Sequence, residues 1–334
     1  MKSLSLTITN PEPILKNLEK LFASELKPEY FYLAKPAQED YQNPLNLTTH
    51  KNVLGMSEYL LPEVIHLMGI RSMSVLISYD MEPINQLSRD LLSKLDLKGE
   101  EILKNEMLVA EFRKLFSQTR TIAFDDWSGF IAASALWPLL LEKVIEPSQN
   151  ENLDFIFYLG DPAKKSTFQV DEVLALMANF SKRGSVTLAV DQAEALSLWR
   201  LLNAVDERIP LGDQTIHELK RKYFSLYKSM SITRLLVYST NDAMLFSSDD
   251  QFVITRKLAD TSTELGISAR QNFVSGLSTG ILMGNEIARS IAIGLVVFGA
   301  SGPYNSFPGL SAVQEYIADW IADLEKPDAI FLYQ

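Results

Sequence analysis

The sequence predicts a three-layer α/β protein, a central and mostly parallel sheet flanked by helices. Three observations predict it. Short apolar or β-branched runs alternate with helical periodicities of ten or more residues, the pattern of strands joined by right-handed crossovers. The run Phe155-Ile156-Phe157-Tyr158-Leu159 is apolar at every position, as in a strand buried on both faces. With 334 residues, 47% apolar and 22% charged, the chain can bury a large core.

The elements follow in order. Leu4–Thr9 alternates like a strand, and Asn10-Pro11-Glu12-Pro13 turns the chain into a helix over Ile14–Leu26. Tyr30–Ala34 reads as a strand, and the polar segment 35–51 as a loop. A helix over Leu54–Met68 precedes a β-branched strand, Ser72–Ser78. Helices Pro83–Lys94 and Gly99–Phe116 lead to a strand at Thr121–Phe124. The helix Gly129–Ile145 carries Phe130, Ala133, Leu136, Trp137, Leu140, Leu141 and Val144 in one stripe. Aromatic residues at helical spacing point to core rather than to a cofactor cradle.

After the strand at 155–159 come Gly160-Asp161-Pro162 and a helix over Gln169–Ser181. The strand Val186–Val190 runs directly into a helix, Asp191–Val205. A helix over Thr215–Ser229, a strand at Arg234–Tyr238 and a strand pair, Ala243–Ser247 with Gln251–Lys257, follow. Two glycine-rich helices, a helix at Leu310–Leu324 and a strand at Ala329–Tyr333 close the chain. One domain over 1–334 is the simpler organisation, with a small N-terminal subdomain as the other option.

Composition narrows the function classes. The net charge of −11 lacks the basic footprint that nucleic acid or an anionic membrane needs. Without cysteine there are no disulfides, thiolate metal sites or cysteine nucleophiles, which fits a reducing cytoplasm. Neither a secretory signal nor a membrane span is expected, since the apolar run 291–300 is half the necessary length. His50, His66 and His217 are far apart, and none forms a His-x-x-x-His pair or an elbow with serine. A Gly-x-x-x-x-Gly-Lys phosphate loop is also missing.

The stretch Asp260–Gly284 is the candidate functional element. A polar loop enters a helix whose face carries Phe273, Gly276, Leu277, Gly280, Ile281 and Gly284. Small residues at that spacing let a neighbour approach closely, and the helix N-terminus offers free N–H groups to an anion. A buried helix with a polar cap is the plainer alternative.

Phe273-Val274-Ser275-Gly276-Leu277, the glycine face and the paired helix Asn285–Ala300 resemble the C-terminal signature of the PfkB/ribokinase family of carbohydrate kinases. The likeness extends over roughly residues 155–320. It includes Asp161-Pro162 after a central strand, Val186–Glu194, similar to a strand entering an Asn-x-x-Glu motif, and Leu235–Phe246, similar to the strand and turn flanking the nucleotide. The resemblance implies a ribokinase-like fold, ATP and Mg²⁺ as cofactors, Glu194 acting on the metal through water, and a sugar or nucleotide as small-molecule partner. In the family a Gly-x-Gly-Asp turn cradles phosphate and supplies the base. Here Ser268, Ala269, Arg270 and Gln271 stand there, followed by Asn272, so Gln271 occupies the place of the base and both glycines are gone. Asp191 replaces the motif's Asn. Asn52, preceded by His50 and Lys51, and Asp161 are the substrate-site candidates.

An amide is no base near neutrality, and a side chain in place of glycine obstructs a backbone anion nest. The expectation is a weak or inactive kinase relative, a pseudokinase, that keeps a small-molecule cleft. An active kinase recruiting Asp191 or Asp260 as base is one alternative. A structural or partner-binding protein, homo-oligomers included, is another. Two local questions stay open. Arg270 either grips phosphate with its planar fork or is solvated. Asp191 and Glu194 either hold Mg²⁺ through water or start the following helix.

Overall fold

The computed structural model describes residues 7–23, 70–71, 103–104, 106–118, 121–124, 127–129, 133–148, 150, 153–206, 208, 215–239, 242–255, 267–282, 285–300 and 310–325. The elements expected at 30–34, 54–68, 72–78, 83–94 and 329–333, and the loop at 35–51, lie outside them.

The strands are β1 (Thr7–Ile8), β2 (Ile70–Arg71), β3 (Thr121–Phe124), β4 (Leu153–Phe157), β5 (Gly184–Asp191), β6 (Arg234–Tyr238), β7 (Asp242–Ser247) and β8 (Gln251–Thr255). They form one sheet in the order β1-β8-β7-β6-β5-β4-β3-β2. β3, β4, β5 and β6 run parallel, and β1 is parallel to β8. The contacts β2–β3, β6–β7 and β7–β8 are antiparallel. The helices are α1 (Glu12–Ala23), α2 (Glu106–Gln118), α3 (Ala133–Leu140), α4 (Thr167–Phe180), α5 (Gln192–Leu202), α6 (Ile216–Ser229), α7 (Ile267–Leu282), α8 (Ile287–Ala300) and α9 (Leu310–Leu324).

The layers follow from the two-residue period of the strands. Phe155, Phe157, Val186, Leu188, Val190, Leu235 and Val237 point to one side and pack with α2, α3, α4, α5 and α6. Ile156, Tyr158, Ala189, Leu236 and Tyr238 point to the other and pack with α1, α7, α8 and α9. The expected three-layer α/β architecture with a mostly parallel sheet is therefore present. Trp137 is a core residue, as its spacing indicates. It lies 4.8 Å from Phe124 and 5.7 Å from Phe157 between ring centroids.

Two corrections concern local structure. The helix expected from Gly129 is described over Ala133–Leu140, Gly129 itself lying in a turn at 127–129, and its last turn, Leu141–Ile145, widens into a π-helix. The helix carrying the second half of the glycine-rich pair starts at Ile287, not Asn285. The Asn285 side chain instead donates to the Gly280 carbonyl at 3.1 Å, closing the end of α7. The close approach expected of the glycines is there. A Cβ on Gly276 would stand 2.8 Å from the Gly294 Cα, and one on Gly280 would stand 2.6 Å from the Ser290 Cα.

Candidate functional site

The parallel strands β4, β5 and β6 end side by side, and their last inward-facing residues all meet α7. Tyr158 follows β4, Asp191 ends β5 and Tyr238 ends β6, with Asp191 opposite Tyr238 in the register. The Tyr158 hydroxyl lies 2.9 Å from the Ser278 Oγ and donates to the Val274 carbonyl at 3.4 Å. The Tyr238 ring stacks on Phe273 with centroids 4.1 Å apart. These two tyrosines seat α7 on the sheet, and α7 then carries Arg270 over the end of β5. The carboxyl edge of parallel strands is where ligands of open α/β sheets bind.

Asp191 and Glu194 form a reciprocal cap at the start of α5. The Asp191 Oδ1 accepts from the Glu194 N–H at 2.8 Å, and the Glu194 Oε2 accepts from the Asp191 N–H at 2.9 Å. An acidic residue followed three positions later by Glu supplies partners for two backbone donors that a helix start leaves open. The helix-start reading of this pair is thus realised in the geometry. It is an unusual cap in being buried, Asp191 at 1% exposure and Glu194 at 8%.

Two buried carboxylates three residues apart need a counter-charge, and Arg270 provides it. Its Nη1 donates to the Glu194 Oε1 at 3.3 Å. Its Nε lies 2.7 Å from the Asp191 Oδ2, yet neither atom completes an aligned hydrogen bond there. That contact is an ion pair held by charge rather than by direction. Burial raises the Glu194 carboxyl to about 7, with the Asp191 charge adding to the rise. The Asp191 N–H and Arg270 oppose it, while the Asp161 charge adds further. Tyr238 is held well above the ordinary phenol range, first by burial and then by Glu194 and Asp191.

Arg270 is therefore neither free for phosphate through Nε and Nη1 nor a solvated surface cation, the two alternatives open from the sequence. Its position also bears on a metal. All four carboxylate oxygens of Asp191 and Glu194 already face a donor, two in the cap and two at the guanidinium. The pair as arranged does not fit Mg²⁺, which needs vacant oxygens and room for its waters.

The remaining candidates divide. Ser268, Ala269, Gln271 and Asn272 all lie within the single helix α7, so the 268–271 segment is helical rather than an open glycine turn. Asn272 is buried. Asp161 caps a short 3₁₀ turn, its side chain accepting from the Ala163 N–H at 3.0 Å, and its charge reaches Glu194. Asn52 and Asp260 lie outside the described residues. Tyr158, Tyr238 and Ser278 were not singled out from the sequence. The available signal was a tyrosine at the carboxyl end of two apolar strands, a polar tip where the core opens.

No family model matches the sequence, and no curated protein matches it. Among solved structures it is similar to a ribokinase from Thermotoga maritima, with 14% identity, a TM-score of 0.39, and coverage of 62% of this chain and 59% of that one. A variant of phosphofructokinase-2 from Escherichia coli gives 11%, 0.41, 65% and 62%. Adenosine kinase from Schistosoma mansoni in complex with 2-fluoroadenosine gives 15%, 0.44, 73% and 63%. The matches thus span less than two thirds of each of these proteins.

Proposed function

We propose that this protein is a ribokinase-like relative of the PfkB kinases that binds a small molecule, a sugar or a nucleotide, at the carboxyl edge of its sheet. In this reading it transfers phosphate weakly or not at all. The observation that carries it is the Arg270 guanidinium seated on Asp191 and Glu194. The helical course of 268–271 and the amide of Gln271 in the place of a base point the same way.

Phosphoryl transfer depends on positioning and on charge stabilisation around the transferring group. A lost general base removes ~10²–10⁴-fold, and the helical course of 268–271, which leaves no open amide cradle at those residues, removes charge stabilisation as well. An active kinase using Asp191 as base is the weaker reading, because both oxygens of that carboxylate already face donors.

The test combines turnover with binding. The unmodified protein is incubated with ATP–Mg²⁺ and a panel of sugars and nucleosides, following ADP release and, separately, the thermal midpoint. The expected result is a midpoint raised by at least one sugar or nucleoside with no ADP above background. Turnover on the order of 1 s⁻¹, the low end of kinase rates, would overturn the reading.

A further inference from the structure

The Asp191–Glu194 pair is a buried receptor for one positive charge, and the chain delivers that charge from α7. We infer that Arg270 is a built-in cation standing where a divalent metal would otherwise complete the pair. The inference deepens the function proposed above and rests on it for taking this edge of the sheet as the ligand cleft.

The oxygens divide by role. Asp191 Oδ1 and Glu194 Oε2 are held by backbone N–H groups of the α5 cap, whatever α7 carries. Asp191 Oδ2 and Glu194 Oε1 face only the guanidinium among the contacts described above. One of these, Oδ2, belongs to a side chain 1% exposed and has no aligned hydrogen bond. It is satisfied by charge alone, which a metal ion supplies as well as a guanidinium does. Two carboxylate oxygens from separate residues, with retained waters, are enough for a small hard cation such as Mg²⁺ or Mn²⁺. A fixed positive group 2.7 and 3.3 Å from those oxygens repels any second cation and fills its place.

Delivery of the guanidinium is fixed by packing. The Tyr158–Ser278 and Tyr238–Phe273 contacts seat α7 on the strand ends, and the Gly276 and Gly280 faces press it against α8. Arg270 therefore arrives at the pair on a rigid element, and its side chain is only 34% exposed.

The test is Mn²⁺ binding, followed by the electron paramagnetic resonance of free Mn²⁺ and by thermal midpoint. It uses the full chain as unmodified protein, Arg270→Ala, Asp191→Asn alone and Arg270→Ala combined with Asp191→Asn. The unmodified protein is expected to show no site tighter than about 1 mM. Arg270→Ala is expected to take up one Mn²⁺ at least ~10-fold more tightly, with a midpoint that rises with Mn²⁺, and Asp191→Asn should abolish both. Arg270→Gln is judged by the same criterion if the alanine variant fails to fold.

The inference is overturned if a folded Arg270 variant gains no Mn²⁺. It is also overturned if the unmodified protein binds one Mn²⁺ more tightly than about 1 mM, in a manner lost when Asp191→Asn is made alone. That last measurement needs no Arg270 variant. Turnover by the unmodified protein would instead defeat the proposed function, and the Mn²⁺ comparison would stand apart from it.

Discussion

The two faces of the sheet use the same strands and bury different chemistry. On the side of α2–α6, Phe124, Trp137, Phe155, Phe157 and Phe180 interlock at ring separations such as 4.5 Å for Phe124–Phe157 and 5.0 Å for Phe155–Phe180. On the side of α7 and α8, Thr187, Asp191, Asn272, Ser278 and Ser290 are buried among the apolar residues. Non-directional burial holds the first face. The second depends on specific polar pairs and on close helix contact, arrangements that fail when one partner is missing. A sheet can therefore keep a stable scaffold on one side while the other carries a built cluster at its carboxyl edge.

The largest break in that comparison is Trp137→Ala on the aromatic face. Removing a fully buried ring should cost ~3–5 kcal/mol, read as a lower urea midpoint, and a loss under about 1 kcal/mol would mean the face is loosely packed.

On the polar face the corresponding lever is pH. Glu194 keeps its proton up to about 7 when folded, against 4.5 ordinarily. Between those values the folded chain binds more protons than the unfolded one, so stability falls as pH rises through this window and levels off above it. Full linkage amounts to about 3 kcal/mol. Glu194→Gln, whose amide can still cap α5, should flatten that slope in urea titrations at pH 5, 6, 7 and 8. An unchanged slope would place the titration elsewhere.

The helix contact is tested by Gly280→Ala. Its Cβ would meet the backbone of Ser290 at 2.6 Å, so α7 and α8 must separate, at a cost of ~1–3 kcal/mol. A neutral result would show that the pair gives way freely.

The smallest effect sharpens the contrast between two capping boxes. Ser166 and Gln169 cap α4 at the surface as Asp191 and Glu194 cap α5 in the interior. Ser166→Ala should cost about 1 kcal/mol with no change in pH dependence, measured by the same urea titrations.

Parts of this arrangement were legible beforehand and parts were not. The strand Arg234–Tyr238 and the helix Leu310–Leu324 match the sequence reading at both ends. The first is a short continuous apolar run and the second carries a clear apolar period of 3.6. Asp191 and Glu194 could be recognised as a helix start because a cap is written within four residues. Arg270 could not be understood in the same way. Its partners lie 76 and 79 positions earlier in the sequence, and nothing local distinguishes it from a solvated arginine. The turn at 127–129 and the π-helical turn at Leu141–Ile145 were equally hidden, because an apolar stripe marks a buried face without marking pitch.

By itself the sequence determined most of the strands and helices described between residues 106 and 324, and that the strand around 155–159 is buried on both faces, since both follow from the spacing of apolar side chains along the chain. Only the tertiary structure decided that β1 docks beside β8 at one edge, that Tyr158, Asp191 and Tyr238 converge under α7, and that a guanidinium from α7 neutralises the acid pair of β5 and α5. Those outcomes depend on packing between distant segments and on the low dielectric it creates, where an unpaired charge is costly enough to select its partner.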